Sequence, residues 1–307
     1  MSGIPEQTEH GTRLGDVEFI WAKNSREFFF SNSVLIHDGS STTIVDPSSN
    51  FTYLEQLASR KVVQQVLNTH YHVDHRSLNH LFRQARFICH EKDLAPLLSF
   101  ENYLKYADSE RESNYVQWLK GIFSSLDILE GHVNMTLKDG DLVPLQSHRV
   151  RTLHIPGHTP GHLALFFEDI DLLYTSDIDL TPLGPWYANI SSDIDEFLQS
   201  IRKVKHLHCQ HYVTSHGGRI YNREQFVEKL EKFESAFEKR DNKILESLEG
   251  GPKSLHELSQ VGIIYKASHL SDPLKACFER QMVEKHLDRF SRQGKVIQEG
   301  GLWRLST

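Results

Sequence analysis

Apolar and polar residues alternate with a period of two along several short stretches of the chain, the pattern of half-buried β-strands. Elsewhere apolar residues recur about every 3.6 positions, the period of an amphipathic helix. We expect one helix near 53–58 and another near 194–204, capped by Ser191 or Ser192. Alternating strands and helices predict an α/β fold. The predicted strands lie at 28–30, 33–37, 42–46, 62–67, 149–155, 162–167, 172–175 and 212–215.

Two regions depart from this alternation. Residues 91–135 carry aromatic side chains at helical spacing without a strand pattern, which predicts a helical insertion. A charged helix at 226–240 leads to a Gly-Gly-Pro turn, after which a short helix, a long helix and a β-hairpin are expected. We therefore predict a main domain over residues 1–240 and a small winged-helix-like subdomain over residues 241–307.

Composition narrows the class of protein. The chain has 307 residues, enough for one large domain with an appendage. Its net charge of −7 argues against general attraction to nucleic acid, and no apolar run approaches the ~20 residues of a membrane helix. The first ten residues lack the order of a secretory signal, so we expect a cytoplasmic protein without a membrane partner. Three widely spaced cysteines favour buried thiols over disulfides or a thiolate zinc site.

Histidine is abundant, with 19 residues, and it is the commonest metal ligand in proteins. The strongest chemical signal is the segment H-Y-H-V-D-H, which begins at His70, where a predicted strand ends. In extended backbone alternate side chains share a face, so His70 and His72 can converge on one metal ion. Asp74 and His75 would then turn toward a second ion.

Three further candidates each follow a predicted strand and are flanked by Gly, Pro or Ser, which permit tight turns. They are His158 in P-G-H-T-P-G-H, Asp177 in Y-T-S-D, and His216 in T-S-H-G-G. Strand ends at one edge of a sheet lie close together, so side chains far apart in sequence can meet there.

The order of these residues, with Asp46 at the end of an earlier strand, resembles the five motifs of the metallo-β-lactamase superfamily over about residues 17–218. The resemblance implies an αββα sandwich with two metal ions at one edge. It also implies a role for each residue. One ion is held by His70, His72 and His158, the other by Asp74, His75 and His216, while Asp177 bridges both ions and Asp46 orients ligand histidines.

Details of the motifs suggest a subclass. With aspartate at position 177, the chain resembles glyoxalase II-like and nuclease-like members, whereas several true lactamases have cysteine at the comparable position. His72, where the flavo-diiron oxygen reductases have glutamate, favours two zinc ions, with iron or manganese as alternatives. Two positions depart from the usual pattern, because Arg76 stands where a small residue is frequent and Ser176 where glycine is common.

A mechanism follows from the expected metals. Zinc lowers the pKa of bound water to about 7, so a metal-bound hydroxide is the expected nucleophile. Asp74 is the expected catalytic carboxylate, which would orient this hydroxide and pass a proton to the leaving group. Trp186 and Tyr187 are expected to line the substrate pocket, because loops at this edge face the metals.

The C-terminal region resembles, through Ile264-Tyr265 and the long helix, the winged-helix subdomain of β-lactamase-like proteins that include a mitochondrial endoribonuclease. Charges alternate in sign along that helix, for example at Glu279-Arg280. Such alternation is typical of a solvated or partner-facing helix rather than of one that reads nucleic acid. We therefore expect a structural or pocket-covering role.

The function that we expect is hydrolysis of a small ester, thioester or lactone, with a small-molecule substrate as the partner. Alternatives are an endoribonuclease or phosphodiesterase, whose binding of RNA would fall steeply with salt, and an iron-dependent sulfur dioxygenase. A non-enzymatic regulator whose metal cleft senses a ligand is a further alternative. The sequence leaves open the substrate, the physiological metal and whether the chain forms a homo-oligomer.

Overall fold

The computed structural model describes residues 4–23, 30–107 and 113–306, and within them eight strands form the first sheet. Neighbouring strands run antiparallel across the first half of this sheet and parallel across the last four strands. Across the sheet lie β1 (Glu6–Gln7), β2 (Gly11–Leu14), β3 (Val17–Ile20), β4 (Ser33–Asp38), β5 (Ser41–Val45), β6 (Val63–Leu67), β7 (Arg86–His90) and β8 (Met135–Leu137).

The second sheet has four strands among the described residues, and it is also mixed. Its order is β12-β11-β10-β9, with only the pair of β11 and β12 parallel. Seven of the eight predicted strands lie within two residues of observed strands. Of the strand predicted at 28–30, Phe28 and Phe29 fall outside the described residues and Phe30 belongs to no strand. The bounds are β9 (Val150–His154), β10 (Leu163–Phe167), β11 (Leu172–Tyr174) and β12 (His211–Val213).

Helices connect and cover the sheets. The helix expected near 194–204 is present, but its N-cap is Asp193 rather than Ser191 or Ser192. The Asp193 carboxylate accepts hydrogen bonds from two backbone N–H groups of the first turn, and a charged acceptor at this end also favours the helix dipole. The helices are α1 (Phe51–Ser59), α2 (Val73–Arg76), α3 (Leu94–Leu98), α4 (Phe100–Ala107), α5 (Ser113–Ser125), α6 (Ile194–His206), α7 (Arg223–Glu249), α8 (Leu255–Ser259) and α9 (Pro273–Arg292).

The two sheets pack face to face through apolar side chains, and helices cover their outer faces. Leu67 of the first sheet and Leu165 of the second belong to the core between the sheets. Leu54 of α1 packs on the outer face of the first sheet, while Phe197 of α6 and Phe233 of α7 pack on the outer face of the second. Each such side chain stabilises the fold by about 1.5–3 kcal/mol when fully buried. The layers are therefore helix, sheet, sheet, helix.

The insertion predicted at 91–135 contains α3, α4 and α5, and it has its own apolar cluster around Tyr103 and Phe123. After it, α7 runs through the domain boundary expected at residue 240 and ends only at Glu249. Beyond α7, α8 and α9 pack on a small sheet of order β13 (Lys253–Ser254), β15 (Leu302–Leu305) and β14 (Val296–Glu299). The assignment of this region as a winged helix stays a prediction.

One expectation about α9 is wrong. Glu279, taken for part of a solvated charged face, is fully buried. Its carboxylate accepts hydrogen bonds from the backbone N–H groups of Ile263, Ile264 and Tyr265, so it fixes the loop that precedes the helix. Elsewhere the expectation of buried cysteines is confirmed. Among the described residues no helix combines the length and apolar character needed to cross a membrane.

Candidate metal centre

The segment that follows β6 carries four of the predicted ligands. It leaves the strand extended, and His72 is the residue immediately before α2, with φ −63° and ψ 151°. The rings of His70 and His72 meet edge-on, with centroids 4.6 Å apart. Asp74 and His75 lie in α2, and the ring of His75 lies 4.0 Å from that of His70, while its Nε2 faces Oδ1 of Asp177. This agrees with the division into two groups that the sequence predicted.

Two of the strand ends turn through left-handed backbone at a residue other than glycine. Asp46, directly after β5, has φ 49°, and Ser176, between β11 and Asp177, has φ 48°. This region is unfavourable for residues with a side chain, so surrounding contacts must hold it. Ser176 does so by a hydroxyl contact of 2.8 Å with Thr69, the residue before His70. The serine that departs from the family pattern thus connects Asp177, the expected shared ligand, to the loop that carries His70.

Glycines set the loop that carries His158. Gly157 has φ 120°, and a Cβ atom there would lie 2.3 Å from the Cα atom of Phe197. Gly161 packs against Asp93 so closely that a Cβ atom would lie 2.6 Å from the Asp93 carboxyl carbon. Side chains at either position would therefore force the loop away from α6 or from the insertion.

The seven predicted ligands form two groups that share Asp177. In the first group, Nε2 of His158 lies 3.1 Å from Oδ2 of Asp177 and 3.3 Å from Nε2 of His70. In the second, Nε2 of His75 lies 2.9 Å from Oδ1 of Asp177. One carboxylate thus presents one oxygen to each group. Within a group all donor atoms lie within 4.8 Å of one another; the groups are His70, His72, His158 and Asp177, and Asp74, His75, Asp177 and His216.

Charged side chains in and around the second group strongly shift the pKa values of one another. Burial by itself would raise the pKa of Asp177, but His75 and His158 hold it well below 3.8. Burial by itself would lower the pKa of His75, yet Asp177 and Asp46 raise it well above 6.5. Burial also opposes the charge on His216, whose pKa is nevertheless raised to about 9, chiefly by its hydrogen bond with Asp74. An ionised carboxylate therefore lies between the two groups.

The donor set fits divalent transition metals. Within the described residues, Nε2 of His75 is buried and forms no hydrogen bond of good geometry, although Oδ1 of Asp177 lies 2.9 Å away, so its position suits a ligand atom better than a hydrogen-bonding one. Burial lowers the pKa values of His70 and His72 well below 6.5, which keeps both imidazoles neutral as metal binding requires. Imidazole-rich sites with carboxylates suit zinc and iron, and the arrangement does not select between them.

Several contacts fix the orientation of the ligands. Asp46 is fully buried, and its Oδ2 lies 2.9 Å from Nδ1 of His75, which leaves Nε2 to face the second group. Nδ1 of His158 lies 2.8 Å from the carbonyl oxygen of Trp186, to which it can donate. The backbone N–H of Asp177 donates to Nε2 of His162 at 3.1 Å. Asp46 therefore contacts a ligand histidine as the resemblance implied.

Two residues at the site escaped the sequence analysis. The Asn189 side-chain amide lies 2.7 Å from Nε2 of His72 and 2.6 Å from the hydroxyl of Tyr71. Asp93 is fully buried and accepts hydrogen bonds from the backbone N–H of Gly161 and from the hydroxyl of Thr159. Neither residue lies in a motif of ligand-type residues, and Asp93 falls in the region read only as a helical insertion. No local signal could have identified them.

The two predicted pocket residues point in different directions. Trp186 lies beside the first group, with its ring centroid 5.3 Å from that of His72. Tyr187 is fully buried instead, and its hydroxyl contacts His286 at 2.6 Å and accepts a hydrogen bond from Arg240. The prediction that Tyr187 lines the pocket is wrong, because adjacent residues of this extended loop face opposite sides.

Comparison with known proteins adds an independent line of evidence. A family model described as the metallo-beta-lactamase superfamily matches residues 26–216, which include all seven candidate ligands. The chain is 24% identical over 207 residues to an "atrochrysone carboxyl ACP thioesterase" of Aspergillus fumigatus, covering 64% of this chain and 54% of that protein. It is also 24% identical over 184 residues to a "hydroxyacylglutathione hydrolase" of Pelagibacter ubique, covering 58% and 64%.

These curated relatives are matched over only about half to two thirds of their own length. A solved structure matches almost throughout: a beta-lactamase domain protein from Burkholderia ambifaria, with a TM-score of 0.74 and 18% identity, covers 99% of this chain and 94% of its own. At this identity the likeness concerns the fold, and it extends through the C-terminal region.

Proposed function

Because the chain belongs to the metallo-β-lactamase superfamily, we propose that it is a metal-dependent hydrolase that acts on a small thioester. The observation that carries the proposal is the Asp177 carboxylate, which presents one oxygen to each of two ligand groups. Two relatives of different organisms are named for thioester cleavage, an ACP thioesterase and a hydroxyacylglutathione hydrolase. Esters and lactones, which share the acyl carbon, remain the neighbouring substrate classes.

Metal ions in such a site act as Lewis acids and make water nucleophilic near pH 7. We propose zinc as the ion in both groups, because imidazole and carboxylate ligands without thiolate suit hydrolytic zinc. The two groups of side chains that share Asp177 would bind one ion each.

Asp74 is the proposed catalytic residue of the chain itself. Its side chain is 25% exposed, against 10% for Asp177 and none for Asp46, so it is the ligand carboxylate most open to substrate. Water attacks the acyl carbon, the C–S bond breaks, and the products are a carboxylic acid and a thiol. The proton that the water loses passes to the departing sulfur, and Asp74 is placed to carry it.

The test combines metal analysis with a substrate panel. The purified protein should contain two ions per chain, hydrolyse acyl thioesters faster than the matching oxygen esters, and lose this activity with chelator. Asp74→Asn should lower turnover by at least ~100-fold, because general acid–base groups contribute about that much. A matched control is Asp16→Asn, which alters an exposed carboxylate on the turn between β2 and β3.

Full turnover by a metal-loaded Asp74→Asn protein would remove the proposed role of Asp74. Cleavage of RNA without thioester hydrolysis, or a single iron ion per chain, would replace the proposed function by the endoribonuclease or the dioxygenase alternative.

A further inference from the structure

Arg76 is a buried cation without a buried counter-charge. It is the last residue of α2 and is only 2% exposed. Its guanidinium donates to two backbone carbonyl oxygens, of Pro96 at 3.1 Å and of Ile128 at 3.0 Å. Within the part of the chain that the structure describes, Nε has no hydrogen-bond partner and no carboxylate forms an ion pair with the group.

This arrangement is energetically unusual. A guanidinium has five N–H donors, and here two are used. The ring of Phe123, 5.6 Å from the guanidinium carbon, offers a weak cation–π contact in addition. Neutral carbonyls and a ring compensate a buried charge only in part, whereas an anion with hydrogen bonds would do so well. Arg76 is therefore suited to meet a negatively charged group that is not part of the chain.

A cavity of about 460 Å³ lies at this guanidinium, between α2 and the end of the helical insertion. Gly131 lines it, and a Cβ atom on Gly131 would lie 3.7 Å from Nη2 of Arg76, which places the charged end of the side chain at the cavity wall. Asn68 and Asn79 also line the cavity, and their side-chain amides are hydrogen-bonded to each other. The remaining lining residues divide evenly: Phe87, Leu97, Ile128, Leu129 and Val133 are apolar, whereas His80, Arg83, Asp127, Glu130 and His132 are polar or charged.

Other charges at the cavity do not neutralise Arg76. Arg83 and Asp127 form an exposed ion pair with each other. Glu130 is exposed at the rim, and the ring of the likewise exposed His132 packs on Phe87. The cavity thus combines one buried positive group with walls that are in part apolar, and its volume suits a small organic molecule.

We propose that this cavity is a second ligand site, which binds a small carboxylate with an apolar body, its carboxylate directed to the Arg76 guanidinium. The site is separate from the metal centre, because Arg76 points to the insertion while His75 points to Asp177. The two sites share a loop, since the Asn68 amide donates to the carbonyl oxygen of His75 at 3.3 Å.

The probes are benzoate, acetate and inorganic phosphate, titrated by calorimetry at constant ionic strength set with chloride. Wild-type protein should bind benzoate more tightly than acetate or phosphate, both with its metals and after their removal by chelator. Arg76→Met keeps most of the side-chain length without the charge, and it should weaken benzoate binding by about 10-fold or more. Arg83→Met, which removes the exposed arginine of the same cavity, should change it less than about threefold.

Because Arg76→Met also removes two buried hydrogen bonds of the fold, Leu129→Trp supplies a second test that keeps the guanidinium and fills the cavity. It should also abolish benzoate binding. No saturable binding of benzoate by the wild type, or binding that survives both substitutions, would overturn the proposal. So would binding that disappears when the metals are stripped, or a preference for phosphate over benzoate.

Discussion

Asp93 holds two metal-binding loops together without supplying a ligand. Its carboxylate accepts hydrogen bonds from the backbone N–H groups of Tyr71 and Gly161 and from the hydroxyl of Thr159. These donors lie next to His70, His72 and His158. Asp93 therefore fixes the relative position of the two loops that form the first ligand group, as residues behind metal ligands commonly do.

We predict that Asp93→Asn lowers metal affinity at the first group by about 10- to 100-fold, because one of its two acceptor oxygens becomes a donor. Titration with a chromophoric chelator would measure the affinity. Asp38→Asn is a matched control, since Asp38 is also buried and accepts from two backbone N–H groups and one hydroxyl, at Gln146 and Ser147. Equal losses in both variants would show that Asp93 acts on stability alone.

A second prediction at this scale concerns pH. His90 stacks on His154 with ring centroids 4.2 Å apart. Burial, followed by the charge of His154, lowers the pKa of His90 to about 4, below its ordinary 6.5. The folded state thus prefers neutral His90, so this contribution to stability is complete above pH 6.5 and is lost as the pH falls from 6.5 to 4.

His90→Asn should make the free energy of unfolding less dependent on pH in that window. The change in slope should correspond to less than one proton bound on unfolding. Asparagine can keep the acceptor that His90 offers to the backbone N–H of Lys92. Denaturant titrations at several pH values between 4 and 7 would give both slopes. Parallel curves for the variant and the wild type would contradict the prediction.

At the scale of elements, two arginines of α7 each donate hydrogen bonds to the backbone of a neighbouring segment. Arg240 donates through Nη1 to the carbonyl oxygen of Pro185 at 2.6 Å and to the hydroxyl of Tyr187, and through Nη2 to the carbonyl oxygen of Leu183. The clamped loop includes Trp186, whose carbonyl oxygen faces Nδ1 of His158. Arg240 is therefore a positioning residue for a candidate ligand.

Arg223 forms the same pattern at the other end of α7, with the carbonyl oxygens of Leu207 and Lys205 and the hydroxyl of Tyr212. It holds a loop that carries no ligand. We predict that Arg240→Met changes the visible absorption spectrum of cobalt-substituted protein and lowers turnover by about 10-fold or more, while Arg223→Met leaves the spectrum unchanged. The same spectrum in both variants would limit Arg240 to a role in stability.

The elements were predicted unevenly, for physical reasons. Strands β4, β5, β6 and β10 have short apolar runs bounded by turn residues, and the sequence located them. The first three strands, β7 and β8 were missed; β1 is an exposed edge of two residues, and β8 has only three residues, too few to show a period. The cap of α6 was misplaced by one or two residues, since three consecutive capping residues compete there and only the fold selects Asp193.

At the scale of the whole molecule, the C-terminal region is joined to the main domain through a shared core. Met282 of α9 belongs to the same apolar cluster as Phe197 of α6, and Phe278 packs edge-on against Trp186 at 5.1 Å. Arg289 adds ion pairs to Asp195 at 2.7 Å and to Asp241 at 2.8 Å. The long helix α7 crosses the boundary that the sequence suggested, so both regions share it.

We predict that the protein unfolds in one calorimetric transition rather than two. Arg289→Ala should lower the temperature of that transition by about 2–6 °C without splitting it, because the loss removes one ion pair from each of two carboxylates. Arg304→Ala, which removes only an exposed pair with Glu299, should have little effect. Two separate transitions in the wild type would contradict this prediction and would indicate that residues 241–307 unfold as an independent domain.

The sequence by itself determined which residue types gather at the site. Period-two patterns located the strands that carry the ligands, and the spacing of His70, His72, Asp74 and His75 identified the segment that follows β6 and continues into α2. Such information is local, because side-chain type and backbone period are properties of short segments. Only the tertiary structure decided that Tyr187 faces away from the metals and that Asp93 and Arg240 fix the ligand loops. These contacts join residues from distant segments, so they depend on how the layers pack and leave no pattern along the chain.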